Sequence, residues 1–322
     1  MMPIKYINYT HRRDSMELRV DRIHKSFGEK GVLEGISFNA NSGSAMGLLG
    51  RNGAGKTTTM RIIMGVFPPN SGHILVDGKP IDRKNMSIGY LPEDRGLYPK
   101  QPIDKQLLYL SRLRGCKTRD AKESIARWLK RLGMEEYASK KLNTLSKGNQ
   151  QKIQLVAALI NEPELVILDE PFSGLDPVNA TILKDVVKEV ISEGRIVLFS
   201  SHQMNYVEEF CDSIAILHNG KIVLDGKISD IKRSYDRNII TIRSQDNDVI
   251  EDFCNNTLSD IVTGTGRMRD ELLVTLRAPE EMNSLVSALT AQRIEFDSIG
   301  IHEPSLAEIF VQYTGDEEEK SA

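Results

Sequence analysis

Nine consecutive residues, Gly50-Arg51-Asn52-Gly53-Ala54-Gly55-Lys56-Thr57-Thr58, have the types and spacing to hold a chain of phosphates. They read G-x-x-x-x-G-K-T between an apolar run, Ala45 to Leu49, and a helical pattern that continues through Met60 to Met64. Glycines let the backbone curl so that successive N–H groups turn toward one anion. A helix starting at the end of the loop adds the partial positive charge of its N-terminus. Lys56 would reach the β- and γ-phosphates, and the Thr57 hydroxyl would ligate Mg²⁺. Gly50, Asn52, Gly53, Ala54, Gly55 and Thr58 would line the phosphates around them. An ordinary Gly-rich turn is the bland alternative for the same string.

A second group of chemical residues ends a second apolar run. Leu165-Val166-Ile167-Leu168-Asp169-Glu170 suits a parallel strand buried on both faces, and α/β sheets place ligands beyond the C-terminal ends of such strands. Asp169 would hold Mg²⁺ directly or through water. Glu170 would sit beside the γ-phosphate and act as general base on the attacking water. A solvated acidic strand end is the alternative. His202 closes another apolar run, Arg195 to His202, where it is either structural or a contact to the γ-phosphate. Ser146, in Leu145-Ser146-Lys147-Gly148, is a good N-cap for a helix through Leu155 and Ile160. It either only caps or presents its hydroxyl and the free N–H groups to a second anion.

The elements that must position these groups follow from periodicity. Leu18 and Val20 alternate with charged residues as a half-buried strand would, and Ile36 and Phe38 mark another. Phe27 is either core or an exposed ring that stacks on adenine. Residues 73–79 and 88–93 read as strands with turns. Ile103 to Leu113 and the stripe Ala121, Ile125, Trp128, Leu129, Leu132 predict two helices of a helical insert at about 100–160, with Trp128 in its core. A helix at 178–191 and a hairpin about His218-Asn219-Gly220 follow. Beyond them, residues 236–315 predict a small α+β domain without a catalytic constellation. The tails, 1–15 and the acidic 316–322, are expected to be disordered, and Met16 is a candidate start.

Composition limits the rest. The chain has 322 residues, enough for two domains, and its 40% hydrophobic and 27% charged content is that of a globular protein. A net charge of -3 gives no reason to expect a nucleic-acid groove. Cys116, Cys211 and Cys254 are far apart and odd in number, so reduced cytosolic thiols are expected. No run approaches the roughly 18 apolar residues of a membrane span, and the N-terminus lacks the apolar core of a signal peptide.

Five motifs stand in one order: the phosphate loop, Tyr90-Leu91-Pro92-Glu93, Leu145-Ser146-Lys147-Gly148, Leu168-Asp169-Glu170 and Ser201-His202. This resembles the ATP-binding-cassette ATPases over about Met16 to Lys232. The resemblance implies a RecA-like P-loop NTPase core with a helical subdomain at residues 16–235, ATP and Mg²⁺ as ligands, and a head-to-tail dimer, homodimeric or with a paired nucleotide-binding subunit. In such a dimer Ser146 and Gly148 would face Lys56 of the other subunit. Asp176 resembles the D-loop residue that links the two sites, His202 the switch histidine, and Phe27 the ring that stacks on adenine. Two positions depart from the commonest pattern: Lys147 stands where glycine is usual, and Glu93 where most members have Gln. A carboxylate at Glu93 can still offer oxygen to Mg²⁺; contact with a membrane subunit is its alternative.

Leu91-Pro92-Glu93-Asp94-Arg95-Gly96 and Leu145-Ser146-Lys147-Gly148-Asn149-Gln150 look like the sodium-efflux and drug-resistance export ATPases, which pair with separate membrane subunits of the type-2 exporter class. Residues 236–315 look like the accessory domain common in that subgroup. The expectation is therefore an ATP-hydrolysing export subunit, held on the cytoplasmic face of the membrane by an integral-membrane permease. A cassette ATPase uncoupled from transport, and a ligand-sensing accessory domain, are the rival readings.

Overall fold

The computed structural model describes residues 15–94 and 96–315. The two tails expected to be disordered fall outside these residues, Ser15 apart. The chain forms two compact units. One runs through Ile228 and takes up the chain again from Phe310; the other is Ser229–Ile309.

The first unit opens with β1 (Glu17–Phe27) and β2 (Lys30–Asn41), antiparallel partners. Next come β3 (Ala45–Leu49), α1 (Lys56–Met64), β4 (Ser71–Val76), β5 (Lys79–Pro80) and β6 (Ile88–Leu91). Strands β2-β1-β4-β5 form an antiparallel sheet. The helical stretch follows as α2 (Ile103–Leu113), α3 (Thr118–Arg131) and α4 (Lys147–Leu159). Trp128 of α3 is buried in its core. Then come β7 (Leu165–Asp169), α5 (Pro177–Ser192), β8 (Ile196–Ser200), α6 (Met204–Phe210), β9 (Ser213–His218) and β10 (Lys221–Lys227).

The second sheet of this unit has the order β10-β9-β3-β8-β7-β6, and its pairs are parallel except β10 with β9. Strands β3, β7 and β8 are buried at every position, which is why their sequences are apolar without alternation. The antiparallel sheet supplies part of that cover: Leu18, Val20 and Ile36 share one core with Met46, Leu48, Leu165, Ile167 and Leu198. Each such side chain contributes about 1.5–3 kcal/mol on burial. Parallel pairing has a consequence for chemistry. The loops after β3, β8, β7 and β6 all leave from the same edge, so the phosphate loop, His202, Glu170 and Glu93 are delivered to one side.

From α7 (Ile228–Arg233) the second unit continues through β11 (Ile239–Arg243), α8 (Asn247–Thr257), β12 (Val262–Met268), β13 (Glu271–Leu276), α9 (Met282–Ala291) and β14 (Ser298–Ile301); α10 (Leu306–Thr314) starts in this unit and ends in residues of the first. The antiparallel sheet β12-β13-β11-β14 turns Ile240, Ile242, Leu272 and Val274 against Ile250 and Cys254 of α8 and Leu285 and Leu289 of α9. The three cysteines are free. Burial pushes the Cys211 thiol up and that of Cys254 up to about 11, which leaves both inert as nucleophiles. Among the described residues no helix is long and apolar enough to cross a membrane.

Candidate active site

The phosphate loop leaves β3 at Gly50 and enters α1 at Lys56. Gly55 has φ 114, which strains any side chain, and a Cβ there would lie 2.6 Å from Leu33 Cδ2. No side chain caps α1, so its first N–H groups stay available to an anion. The Lys56 ammonium donates to the carbonyls of Gly50 (2.6 Å) and Arg51 (3.3 Å), curled back over the loop. Thr57 and Thr58 are half-buried in the first turn of α1. Thr59 turns its hydroxyl onto the Gly55 carbonyl instead, at 3.0 Å. Asn52 and Gly53 are exposed, whereas Gly50 and Ala54 are buried.

The two carboxylates at the end of β7 are both buried, Asp169 at 2% and Glu170 at 6% exposure. Buried charge needs partners, and β8 supplies most of them. Asp169 is in register with Ser200, whose Oγ donates to Asp169 Oδ1 at 2.5 Å. The Tyr90 hydroxyl donates to Oδ2 at 3.4 Å. Burial, with Asp169 alongside, pushes that hydroxyl up to about 12, so Tyr90 stays a donor. Glu170 sits at φ 50, a conformation that costs a non-glycine residue about 1–3 kcal/mol. Its N–H donates to the Ser200 carbonyl at 3.1 Å. Ser201 Oγ donates to Glu170 Oε2 at 3.2 Å, and His202 Nδ1 lies 2.9 Å from Oε1. The Glu170 carboxylate is thus oriented through both oxygens while His202 remains largely exposed.

Lys56 joins these groups electrically. Burial draws its pKa below the ordinary lysine value, and Glu170, Asp169 and Glu93 oppose that pull. Glu93 itself is exposed in the bend after β6. Lys56, Asp169, Glu170, Glu93 and His202, far apart in sequence, therefore gather at one edge of the parallel sheet.

Ser146, Gly148 and Asp176 form a separate group. Ser146 caps α4, its Oγ accepting from the Asn149 N–H at 3.3 Å. Asp176 caps α5, accepting from the Asn179 N–H at 2.9 Å and side-chain amide at 2.5 Å. Those bonds hold its carboxyl below the usual range. Asn179 closes the group against Gly148, where a Cβ would come within 2.6 Å of Asn179 Nδ2. Gln151 Nε2 adds a bond to the Pro171 carbonyl at 3.0 Å. Phe27 is half exposed at the end of β1, with the Phe67 ring nearly perpendicular to it. Tyr90 and Ser201 stand in the motifs without a role of their own, and Ser200, Asn179 and Gln151 were not singled out from sequence. Only the two serines before His202 carried a local signal.

The donors suit a nucleotide and its cation. An uncapped helix N-terminus and a lysine match phosphate oxygens. Thr57, Asp169 and Glu93 offer the oxygens Mg²⁺ prefers. Among the described residues no three His, Cys, Asp or Glu side chains form a metal-holding group. Mg²⁺ bound through one or two carboxylates plus phosphate needs no such cage.

Comparison with known proteins decides what the arrangement belongs to. The ABC transporter family model matches residues 33–173, and the C-terminal domain model of the DrrA1-3-like ATP-binding proteins matches residues 226–314. An uncharacterized ABC transporter ATP-binding protein of Bacillus subtilis, YhaQ, is 41% identical over 92% of this chain and 98% of its own length. The chain belongs to the ABC transporter ATP-binding proteins. The linearmycin resistance ATP-binding protein LnrL of Bacillus subtilis is 32% identical over 92% of the chain and 98% of its own length. A solved structure of the ATP-binding subunit of an ABC transporter aligns with a TM-score of 0.61 at 32% identity, covering 67% of this chain and 92% of that one. The ABC protein thus has the P-loop NTPase fold expected from its motifs, binds and hydrolyses ATP, and is the ATP-binding subunit of a transporter.

Proposed function

We propose that this ABC ATPase powers export through a separate integral-membrane permease, by closing as a dimer on ATP and reopening after hydrolysis. One observation carries the chemical half: Glu170 is buried, fixed through both carboxylate oxygens by His202 and Ser201, and close enough to Lys56 to oppose the lowering of its pKa by burial. In this reading the loop residues Gly50, Asn52 to Gly55 and Thr58 hold the phosphates, and Lys56 binds the β- and γ-oxygens. Phe27 stacks on the base. Thr57, Asp169 and Glu93 hold Mg²⁺. When bound, that ion neutralises charge on the phosphates. Glu170 accepts a proton from the attacking water, and His202 keeps the carboxylate aimed. Ser146 and Gly148 reach the nucleotide bound to the other subunit, whether a second copy or a paired one, and Asp176 joins the two sites. Residues 16–235 are the nucleotide-binding domain and 236–315 the accessory domain.

The transport half is supported by the absence of a membrane-crossing helix among the described residues and by the resistance function named for LnrL. It puts the chain on the cytoplasmic face of the membrane, held there by the permease. Co-expression with a multi-span membrane protein encoded by a neighbouring gene tests this. The two should co-purify in detergent, and vesicles of the complex should move substrate only with ATP. Purification of this chain free of any integral-membrane protein, under conditions that keep the neighbour folded, would overturn it.

A further inference from the structure

We propose that Phe67 and Lys25 are positioning residues that hold the Phe27 ring ready to receive a purine base. The inference rests on the reading that Phe27 stacks on the nucleotide. The Phe27 and Phe67 centroids are 5.3 Å apart with planes at 87°, an edge-to-face pair. The Lys25 ammonium lies over both rings, 5.1 Å from each centroid, within cation–π range of both. The same ammonium donates to the Pro68 carbonyl at 2.8 Å, so its place is fixed by a second bond.

The backbone carrying these groups is pinned as well. Asn70 Oδ1 accepts the Ser26 N–H at 2.7 Å, and the Asn70 N–H donates to the His24 carbonyl at 2.9 Å. Beyond it β4 pairs with β1 at Ser71 and His24. The segment after α1, which carries Phe67, is therefore fastened along the end of β1, which carries Phe27. A phenyl ring on an exposed strand end would otherwise sample several rotamers and lose that freedom when a base docks. Here a perpendicular aromatic ring and a cation limit its motion in advance, while half of Phe27 stays exposed. Because Phe67 follows the helix that begins at Lys56, base platform and phosphate loop sit at opposite ends of α1 and its trailing loop.

The test separates base from phosphate recognition. Dissociation constants of ATP and of inorganic tripolyphosphate, both with Mg²⁺, are measured on the full chain. The proteins are wild type, Phe27→Ala, Phe67→Ala, Lys25→Met and the double variant Phe27→Ala/Phe67→Ala. Phe67→Ala should weaken ATP by about three- to tenfold, the scale of an aromatic pair, and leave tripolyphosphate unchanged. Lys25→Met should do the same to a smaller degree. It serves if Phe67→Ala fails to fold, since Phe67 also packs on the core. The double variant should bind ATP no worse than Phe27→Ala alone, because Phe67 acts through Phe27. If Phe27→Ala weakens ATP while Phe67→Ala and Lys25→Met do not, the positioning role is wrong and the stacking role stands. If Phe27→Ala leaves ATP binding intact, both are wrong. Equal losses for ATP and tripolyphosphate in Phe67→Ala would show a general packing effect and overturn the proposal.

Discussion

His202 Nδ1 lies 2.9 Å from Glu170 Oε1, which ties an exposed ring at the end of β8 to a buried carboxylate at the end of β7. The two side chains follow strands paired along their whole length, so any shift between β7 and β8 is felt at this contact. Removing the ring should leave nucleotide binding intact and misalign the carboxylate. His202→Ala is expected to lower turnover by about 10²-fold, within the range of general-base effects, with the ATP dissociation constant unchanged. His202→Gln, which keeps an N–H donor, should recover part of the rate. Equal turnover for both variants and wild type would remove His202 from the mechanism.

Ser200 is fully buried and its hydroxyl serves Asp169. Ser200→Ala should cost about 1–3 kcal/mol of stability, the penalty for a buried charged acceptor losing a donor. It should also raise the Mg²⁺ concentration needed for half-maximal ATPase activity, since Asp169 is no longer held. Thermal unfolding and a Mg²⁺ titration read the two effects separately. An unchanged titration would mean that Asp169 needs no such support.

Gly148 faces Asn179 with no room for a methyl group. Gly148→Ala should push α4 and α5 apart locally, with an overpacking cost of about 1–3 kcal/mol, and depress turnover. Adding Asn179→Ala removes the clash and should restore stability. Turnover should recover only in part, because Asn179 also holds Asp176. If the double variant is no more stable than Gly148→Ala alone, the clash is not the cause.

Glu162 is a junction between the helical stretch and the sheet. Its Oε1 accepts from Ser124, Arg127 and Trp128 of α3, and its Oε2 from Arg195 just before β8. The carboxylate is 43% exposed, so water screens it and the whole set is worth about 1–2 kcal/mol. Glu162→Ala should lower Tm by a few degrees, about 2–4 °C per kcal/mol for a unit of this size. No change in Tm would show that the junction is decorative.

Much of this was legible in the order of residue types. Apolar runs ending in charge marked β7 and β8, the glycine spacing marked the loop before α1, and Ser146 announced the start of α4. These signals are local: strand burial, turn conformation and capping act over a few neighbouring residues. What sequence reading missed is set by register and close approach. Ser200 meets Asp169 because β7 and β8 pair in parallel at those two residues, thirty-one positions apart. Asn179 matters because α5 comes within side-chain reach of Gly148 on α4. Glu162 holds three α3 side chains only once α3 has packed back over the end of α4. None of these distances is written in a local pattern. Phe27 was open between core and surface, and its half exposure resolves that choice toward the surface.

The most direct measurement is hydrolysis and dimer formation by Glu170→Gln. The amide keeps the size of the carboxylate and cannot take up a proton from water. If Glu170 is the general base, turnover should fall by about 10²–10⁴-fold, ATP should still bind, and the ATP-loaded variant should elute as a dimer on size exclusion. Near-normal turnover by Glu170→Gln would contradict the assignment.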